Sequence, residues 1–143
     1  MDPANTMDSA SAMVDRLART TNAHDLDGLV DCFAADYRNE TPVHPARGFT
    51  GREQVRSNWQ QIFAAVPDLL VTVLRSVVAD DTVWSEWEMT GTRRDGTVHL
   101  MRGVILFGVT AGRASWARFY LEPVQHGGDT IDSVVVAQLR GAR

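Results

Sequence analysis

The chain has 143 residues, the length of one ordinary domain, and its 44% hydrophobic and 22% charged residues are those of a globular protein. Its 14 basic and 18 acidic residues leave a formal charge of −4 with no basic block. That excludes a partner such as nucleic acid, which needs clustered Lys and Arg, and equally an anionic membrane surface. No apolar run approaches the ~20 residues of a spanning helix. The N-terminal MDPANTMDSASAM has neither the basic start nor the apolar stretch of a secretory signal. Cys32 is the one cysteine, so no internal disulfide can form, and the simplest reading is a reduced, cytoplasmic protein.

Residues 9–22 read as a first helix with Met13, Leu17 and Ala18 on one side. Asn22-Ala23-His24 breaks it, and Asp25 is a good N-cap, because its carboxylate can accept from first-turn N–H groups. Leu26, Leu29, Val30 and Phe33 follow at i, i+3, i+4 and i+7, the stripe of a second helix. Tyr37 to Thr41 is a short strand stopped by Pro42, and Val43 to Phe49 is a loop holding Pro45 and Gly48. Thr50-Gly51-Arg52-Glu53 fits a capping box, in which each end side chain satisfies a backbone donor of the other. Val55, Trp59, Ile62, Phe63 and Val66 then form the stripe of a third helix, which Pro67 ends.

Leu69 to Val78 is a β-rich run, Asp80-Asp81 a turn, and Thr82 to Thr92 a second strand. Asp95-Gly96 is a hairpin signal, since both centres of a two-residue turn need φ > 0. Val98 to Gly108 and Ala114 to Leu121 are the remaining long strands, separated by a turn at Thr110-Ala111-Gly112. Gly127-Gly128 loosens the chain, and residues 129–139 form a short helix in a tail over 125–143. Helices precede strands, so the expected class is α+β, with three N-terminal helices packed on a four-strand meander in a single domain, 1–143. The small first strand adds to one edge.

The turns also set a register. With Asp95 and Gly96 as the two turn centres, Thr92 pairs with His99, Thr90 with Met101, Glu88 with Gly103 and Glu86 with Ile105. Alternation puts these on one sheet face and Val83, Ser85, Trp87, Met89, Arg102, Val104 and Leu106 on the other. A three-residue turn at Thr110-Ala111-Gly112 sets Ile105 opposite Ala117, Gly103 opposite Phe119 and Arg102 opposite Tyr120.

The stretch RLARTTNAHDLDGLVDCFAADYRNETP, then GFTGREQVRSNWQQIF, then the meander ending GRASWARFYLEPV resembles the NTF2-like superfamily, in its SnoaL-like and ketosteroid-isomerase-like branch. The resemblance covers about residues 9–124. It implies a cone in which helices and a strongly curved, mostly antiparallel sheet enclose one deep pocket. It does not imply a reaction, since such folds host isomerases, polyketide cyclases, epoxide hydrolases, dehydratases, binding proteins and inert subunits. It further implies that the pocket face carries Trp84, Glu86, Glu88, Thr90, His99, Met101, Gly103, Ala117, Phe119 and Leu121. Asn39 and Thr41 on the short strand, and Leu17 and Trp59 on helices, would complete the walls.

The catalytic sets of such relatives are largely lost. The ketosteroid isomerase base, Tyr and protonated Asp would fall on Thr41, Leu17 and Gly103, none of which can move a proton. The Asp–Arg–Asp set of limonene-epoxide-hydrolase-like enzymes would fall on Glu88, Glu86 and Phe119, with its water holders on Asn39 and Thr41. The last-strand carboxylate of SnoaL-like cyclases has no counterpart at Phe119 or Leu121, and Glu122 should face away. Glu88 and Glu86 remain as catalytic candidates. Burial beside Trp84, Met101 and Phe119, and mutual repulsion, would raise a Glu pKa towards the about 6–7 of a general acid/base. Against this, both could be solvated acids. His99, near the hairpin end, reads as a third candidate or as a rim residue, and His44 lies in the loop near the entrance. The four histidines lack metal-ligand spacing, so no metal and no cofactor are expected.

The opposite face would expose Trp87, Met89, Val104, Leu106, Trp116 and Tyr120 among Arg102, Arg118 and Glu122. Such a surface marks a partner interface. The resemblance implies a homodimer through Trp87, Met89, Arg102, Trp116, Arg118 and Tyr120, with Arg102 and Glu122 as an interface ion pair. The expected function is a cofactor-independent isomerase, cyclase or dehydratase acting on a hydrophobic, cyclic or polyketide-like small molecule. The alternatives are a non-catalytic binder of a hydrophobic metabolite and an assembly subunit with a vestigial pocket.

Overall fold

The structure, a computed structural model, describes residues 3–141. Its elements are α1 (Pro3–Asn22), α2 (Leu26–Asp31), β1 (Phe33–Glu40), β2 (Phe49–Thr50), α3 (Arg52–Ala65), β3 (Leu70–Ala79), β4 (Thr82–Thr92), β5 (Val98–Thr110), β6 (Arg113–Pro123) and α4 (Ile131–Leu139). A 3-10 turn at Pro45–Arg47 lies between β1 and β2. One six-stranded sheet has the order β2-β1-β6-β5-β4-β3. Every neighbouring pair is antiparallel except β1 with β6. The α+β architecture is as expected in its three N-terminal helices and four-strand meander, with α4 as a fourth helix; the short strand read at Tyr37–Thr41 is the longer β1, which joins the meander at β6 and carries β2 on its outer side.

The core lies between the helices and one sheet face. Met13, Val14 and Leu17 of α1 and Leu29 and Val30 of α2 are buried with Val83, Trp87, Met89, Ile105 and Phe107 of the sheet. The other end of the sheet is closed by a side chain. Asn22 donates through Nδ2 to the Val71 carbonyl at 3.0 Å and accepts from the Val71 N–H at 2.7 Å, standing in for a neighbouring strand at the β3 edge.

Three local expectations change. Asp25 caps α2 as read, accepting from Gly28 N–H at 3.0 Å. The helix nevertheless stops at Asp31, and Phe33 opens β1, because the Cys32 carbonyl accepts from Ala114 N–H at 2.8 Å and draws the chain alongside β6. The capping box does not form. Thr50 is held in β2 opposite Arg38, and Gly51, at φ 96°, is the N-cap, with its N–H given to the Tyr37 carbonyl.

The third change is the largest. The β4–β5 loop has three central residues, Arg94-Asp95-Gly96, not two. Arg93 N–H donates to the Thr97 carbonyl at 2.8 Å and Gly96 N–H to the Arg93 carbonyl at 2.9 Å. Gly96 is at φ 86°, whereas Asp95 is not among the positive-φ residues, so a type I turn ends in a left-handed glycine. The Asp95 carboxylate secures it, accepting from Thr97 N–H at 3.0 Å and Thr97 Oγ1 at 2.6 Å. Trp87 therefore pairs with Gly103 and Met89 with Met101, one residue from the expected register. One residue reverses a strand's faces. Val83, Ser85, Trp87 and Met89 point into the core, and Trp84, Glu86, Glu88 and Thr90 point outward.

The β5–β6 hairpin departs twice and keeps its faces. Its turn is the two-residue Ala111-Gly112, at φ 52° and 77°, and a bulge follows between Gly108 and Val109. Together they move the register by two, so Ile105 pairs with Phe119 and Gly103 with Leu121. His99, Met101, Phe119 and Leu121 remain on the inner face.

Candidate functional site

A cavity of about 430 Å³ opens between α3, β1 and the inner sheet face. Phe33, Val55, Trp59, Ile62, Met89, Met101, Phe119 and Leu121 make its apolar walls. A deeper, nearly filled extension is closed by Leu17, Thr21, Trp87 and Phe107. Two buried hydrogen bonds hold the floor in place. Trp87, 1% exposed, donates its indole N–H to Ser85 Oγ at 2.7 Å, and Ser85 donates to the Ile105 carbonyl at 2.7 Å.

The polar lining is Tyr37, Asn39, Thr41, Asn58 and His99, with Arg47 as the one charged residue among the described lining residues. Alternation along β1 turns Tyr37 and Asn39 to the same side, where the Tyr37 O–H donates to Asn39 Oδ1 at 2.7 Å. Burial pushes the Tyr37 phenol well above its ordinary pKa of 10.0, so it stays neutral and donates. With Asn39 Oδ1 occupied, the amide N–H groups are what Asn39 can offer a ligand. The His99 imidazole is half-buried, and burial first, then the positive charge of Arg93, hold its pKa below 6.5. At neutral pH it is uncharged, with one nitrogen able to accept a proton.

Several residues read from the sequence meet in this cavity: His99, Asn39, Thr41, Trp59, Met101, Phe119 and Leu121 line it, and Leu17 lies at its deep end. Others do not. Glu88 and Glu86 are on the outer face, where Glu88 accepts from Arg102 Nε at 2.8 Å and Glu86 pairs with Arg75 at 3.1 Å. Trp84 is there too, 50% exposed, and Thr90 lies on the same side. Gly103 contributes no wall. It lets β5 pass β6, since a Cβ there would run into the Tyr120 carbonyl. The register that turns Glu88 outward also takes Trp87 and Met89 off the outer face and into the core. Arg102 bonds Glu88, while Glu122 takes His44 Nε2 at 2.9 Å and Arg47 Nη1 at 3.7 Å.

Tyr37, Asn58 and Arg47 were missed. For Tyr37 a signal existed, because stepping back two residues from Asn39 along a strand reaches the same face. Arg47 had none, as a loop side chain has no period to place it. Among the described residues no group of three or more His, Cys, Asp and Glu could hold a metal ion. No described helix is long and apolar enough to cross a membrane.

A curved six-strand sheet and helices around this cavity define the class as an NTF2-like fold. Within it the chain belongs to the SnoaL-like domain family, whose model matches residues 14–117. No curated protein matches the sequence. Among solved structures, a SnoaL-like polyketide cyclase candidate from Jannaschia sp. CCS1 superposes with a TM-score of 0.71 at 20% identity, over 96% of this chain and 95% of that one. RV0760c from Mycobacterium tuberculosis, in complex with estradiol-17beta-hemisuccinate, gives 0.68 at 24% identity over 78% and 92%. A protein with a ketosteroid isomerase-like fold from Catenulispora acidiphila DSM 44928, in complex with trimethylamine, gives 0.66 at 21% over 76% and 84%. At these identities the likeness is one of fold.

Proposed function

We propose that the protein takes an apolar, ring-containing or polyketide-like small molecule into this cavity and moves a proton on it with His99, as an isomerase or cyclase would. One observation carries the reading. Among the described lining residues, His99 is the one group that titrates near neutrality, and its surroundings keep it in the proton-accepting form. The Tyr37–Asn39 pair supplies N–H donors in the same cavity, suited to a carbonyl oxygen that gains negative charge as a neighbouring C–H is lost. That the mycobacterial fold relative holds a steroid ester, and the Jannaschia one is named for polyketide cyclisation, supports an apolar polycyclic occupant. His99 takes the role expected of Glu88 and Glu86.

The test works with whatever molecule the cavity holds. Native mass spectrometry of the purified protein should reveal a bound apolar molecule, and incubation in deuterium oxide should add mass at its acidic C–H positions. In His99→Gln the exchange should slow by about 100-fold or more. An exchange rate unchanged by the substitution overturns the proton-transfer role. It would leave a binding protein without turnover, a second reading favoured by the lack of any acidic side chain among the described lining residues.

For the outer face, the proposed occupant is a second copy of the chain. Exposed Trp84, Val77 and Tyr120 cluster around Val104 there, with Trp116, Arg102 and Arg118 beside them. Trp84→Glu should halve the mass seen by light scattering. A parent protein that is already monomeric overturns this assignment.

A further inference from the structure

We infer that the ligand of the cavity carries an anionic group, such as a carboxylate or sulfate, that rests on Arg47 at the mouth. The inference deepens the small-molecule reading above and rests on it. It starts from the loop between β1 and β2. Pro42 and Pro45 restrict its backbone. Three hydrogen bonds hold it in shape: His44 N–H to the Thr41 carbonyl at 2.8 Å, Arg47 N–H to the His44 carbonyl at 2.9 Å, and Gly48 N–H to the Pro45 carbonyl at 3.2 Å. The loop thus presents Arg47 from a fixed place beside the cavity.

The guanidinium is under-used. Its one carboxylate neighbour among the described residues is Glu122, at 3.7 Å, beyond good hydrogen-bond distance. The same Glu122 Oε1 is already taken by His44 Nε2 at 2.9 Å. The Arg47 side chain is 58% exposed, so most of its five N–H donors are open to a ligand. A planar guanidinium matches a carboxylate in two-point geometry. No acidic residue lines the cavity among the described residues, and the charge of Arg93 also reaches His99. Arg47 is thus the charge that the cavity lining itself presents among the described residues, at the opening of apolar walls. The molecule that satisfies both is amphipathic: a hydrophobic body inside and an acidic tail at the rim.

Two fluorescent probes separate these parts, anilinonaphthalene sulfonate and its uncharged parent phenylnaphthylamine. At low salt the parent protein should bind the sulfonate about three- to fivefold more tightly than the neutral probe, a preference that shrinks with added salt. Arg47→Met should bring that ratio to about one. Glu122→Gln should raise it, since it frees the guanidinium from its competing carboxylate. Opposite shifts in the two variants support the inference. Equal affinities in the parent, or a ratio that neither variant moves, overturn it and leave the apolar cavity standing. If the neutral probe does not bind at all, the small-molecule reading falls, and this inference falls with it.

Discussion

Two of the meander's three hairpins, β4–β5 and β5–β6, depart from a simple turn count in different ways. At β4–β5 the loop gains one residue, and every side chain of β4 changes face. At β5–β6 the turn loses a residue and the bulge adds a second step in the same direction, so the register moves by two and the faces are kept. The pocket faces of β5 and β6 therefore survive their two departures, while that of β4 turns on the one residue added to its loop. Function follows the same division. The inward residues of β5 and β6, among them His99 and Met101, form the cavity, and the acids of β4 sit in ion pairs outside it.

The largest effect that could break this contrast is on stability. Trp87→Ala should cost about 3–5 kcal/mol in chemical denaturation, as for a large aromatic removed from a core. Thr90→Ala, on the opposite face of the same strand, should change stability by about 0.5 kcal/mol. The reverse order would restore the simpler register. Next in size is Tyr37→Phe, which removes the hydrogen bond to Asn39 and should cost about 1 kcal/mol at neutral pH. Its pH dependence has a definite sign. The folded pKa of Tyr37 is raised, so its contribution is full below the unfolded value near 10.0 and is lost as pH rises beyond it. The parent should therefore lose stability above that pH more steeply than Tyr37→Phe.

Smaller still is Glu88→Gln. Its partner Arg102 is exposed, so the pair should contribute no more than about 1 kcal/mol, and proton exchange into the bound ligand should stay within about twofold of the parent. A large loss of exchange would return Glu88 to the chemistry. The smallest effect is at His99. Its folded pKa is depressed, so its contribution is present above 6.5 and is lost as pH falls below it. His99→Gln should flatten the decline in melting temperature between neutral and mildly acidic pH, and an unchanged slope would contradict a neutral, half-buried imidazole.

The architecture was legible because it rests on long-period signals. The stripe of α3 and the run of β-branched residues from Leu70 each span enough residues to outvote a local misreading. The site was legible where the resemblance assigned a cavity face and the strand kept it. Asn39, Thr41, Met101 and Phe119 lie on the cavity side as the resemblance implied, and Glu88 does not, because an Asp-Gly pair suits both a two-residue and a three-residue loop. The competing hydrogen bonds of Asp95 to Thr97 decide between them. Thr50 shows the same limit, since its capping pattern is overruled by pairing with Arg38 of β1.

An apolar ligand in this cavity should meet the odd-numbered residues of β4 and not the even-numbered ones. Intermolecular nuclear Overhauser effects from bound phenylnaphthylamine measure this directly. Contacts to the methyl groups of Met89 and Met101 and to the His99 ring, with none to the Trp84 indole, are the predicted result. Contacts to Trp84 with Met89 silent would contradict it.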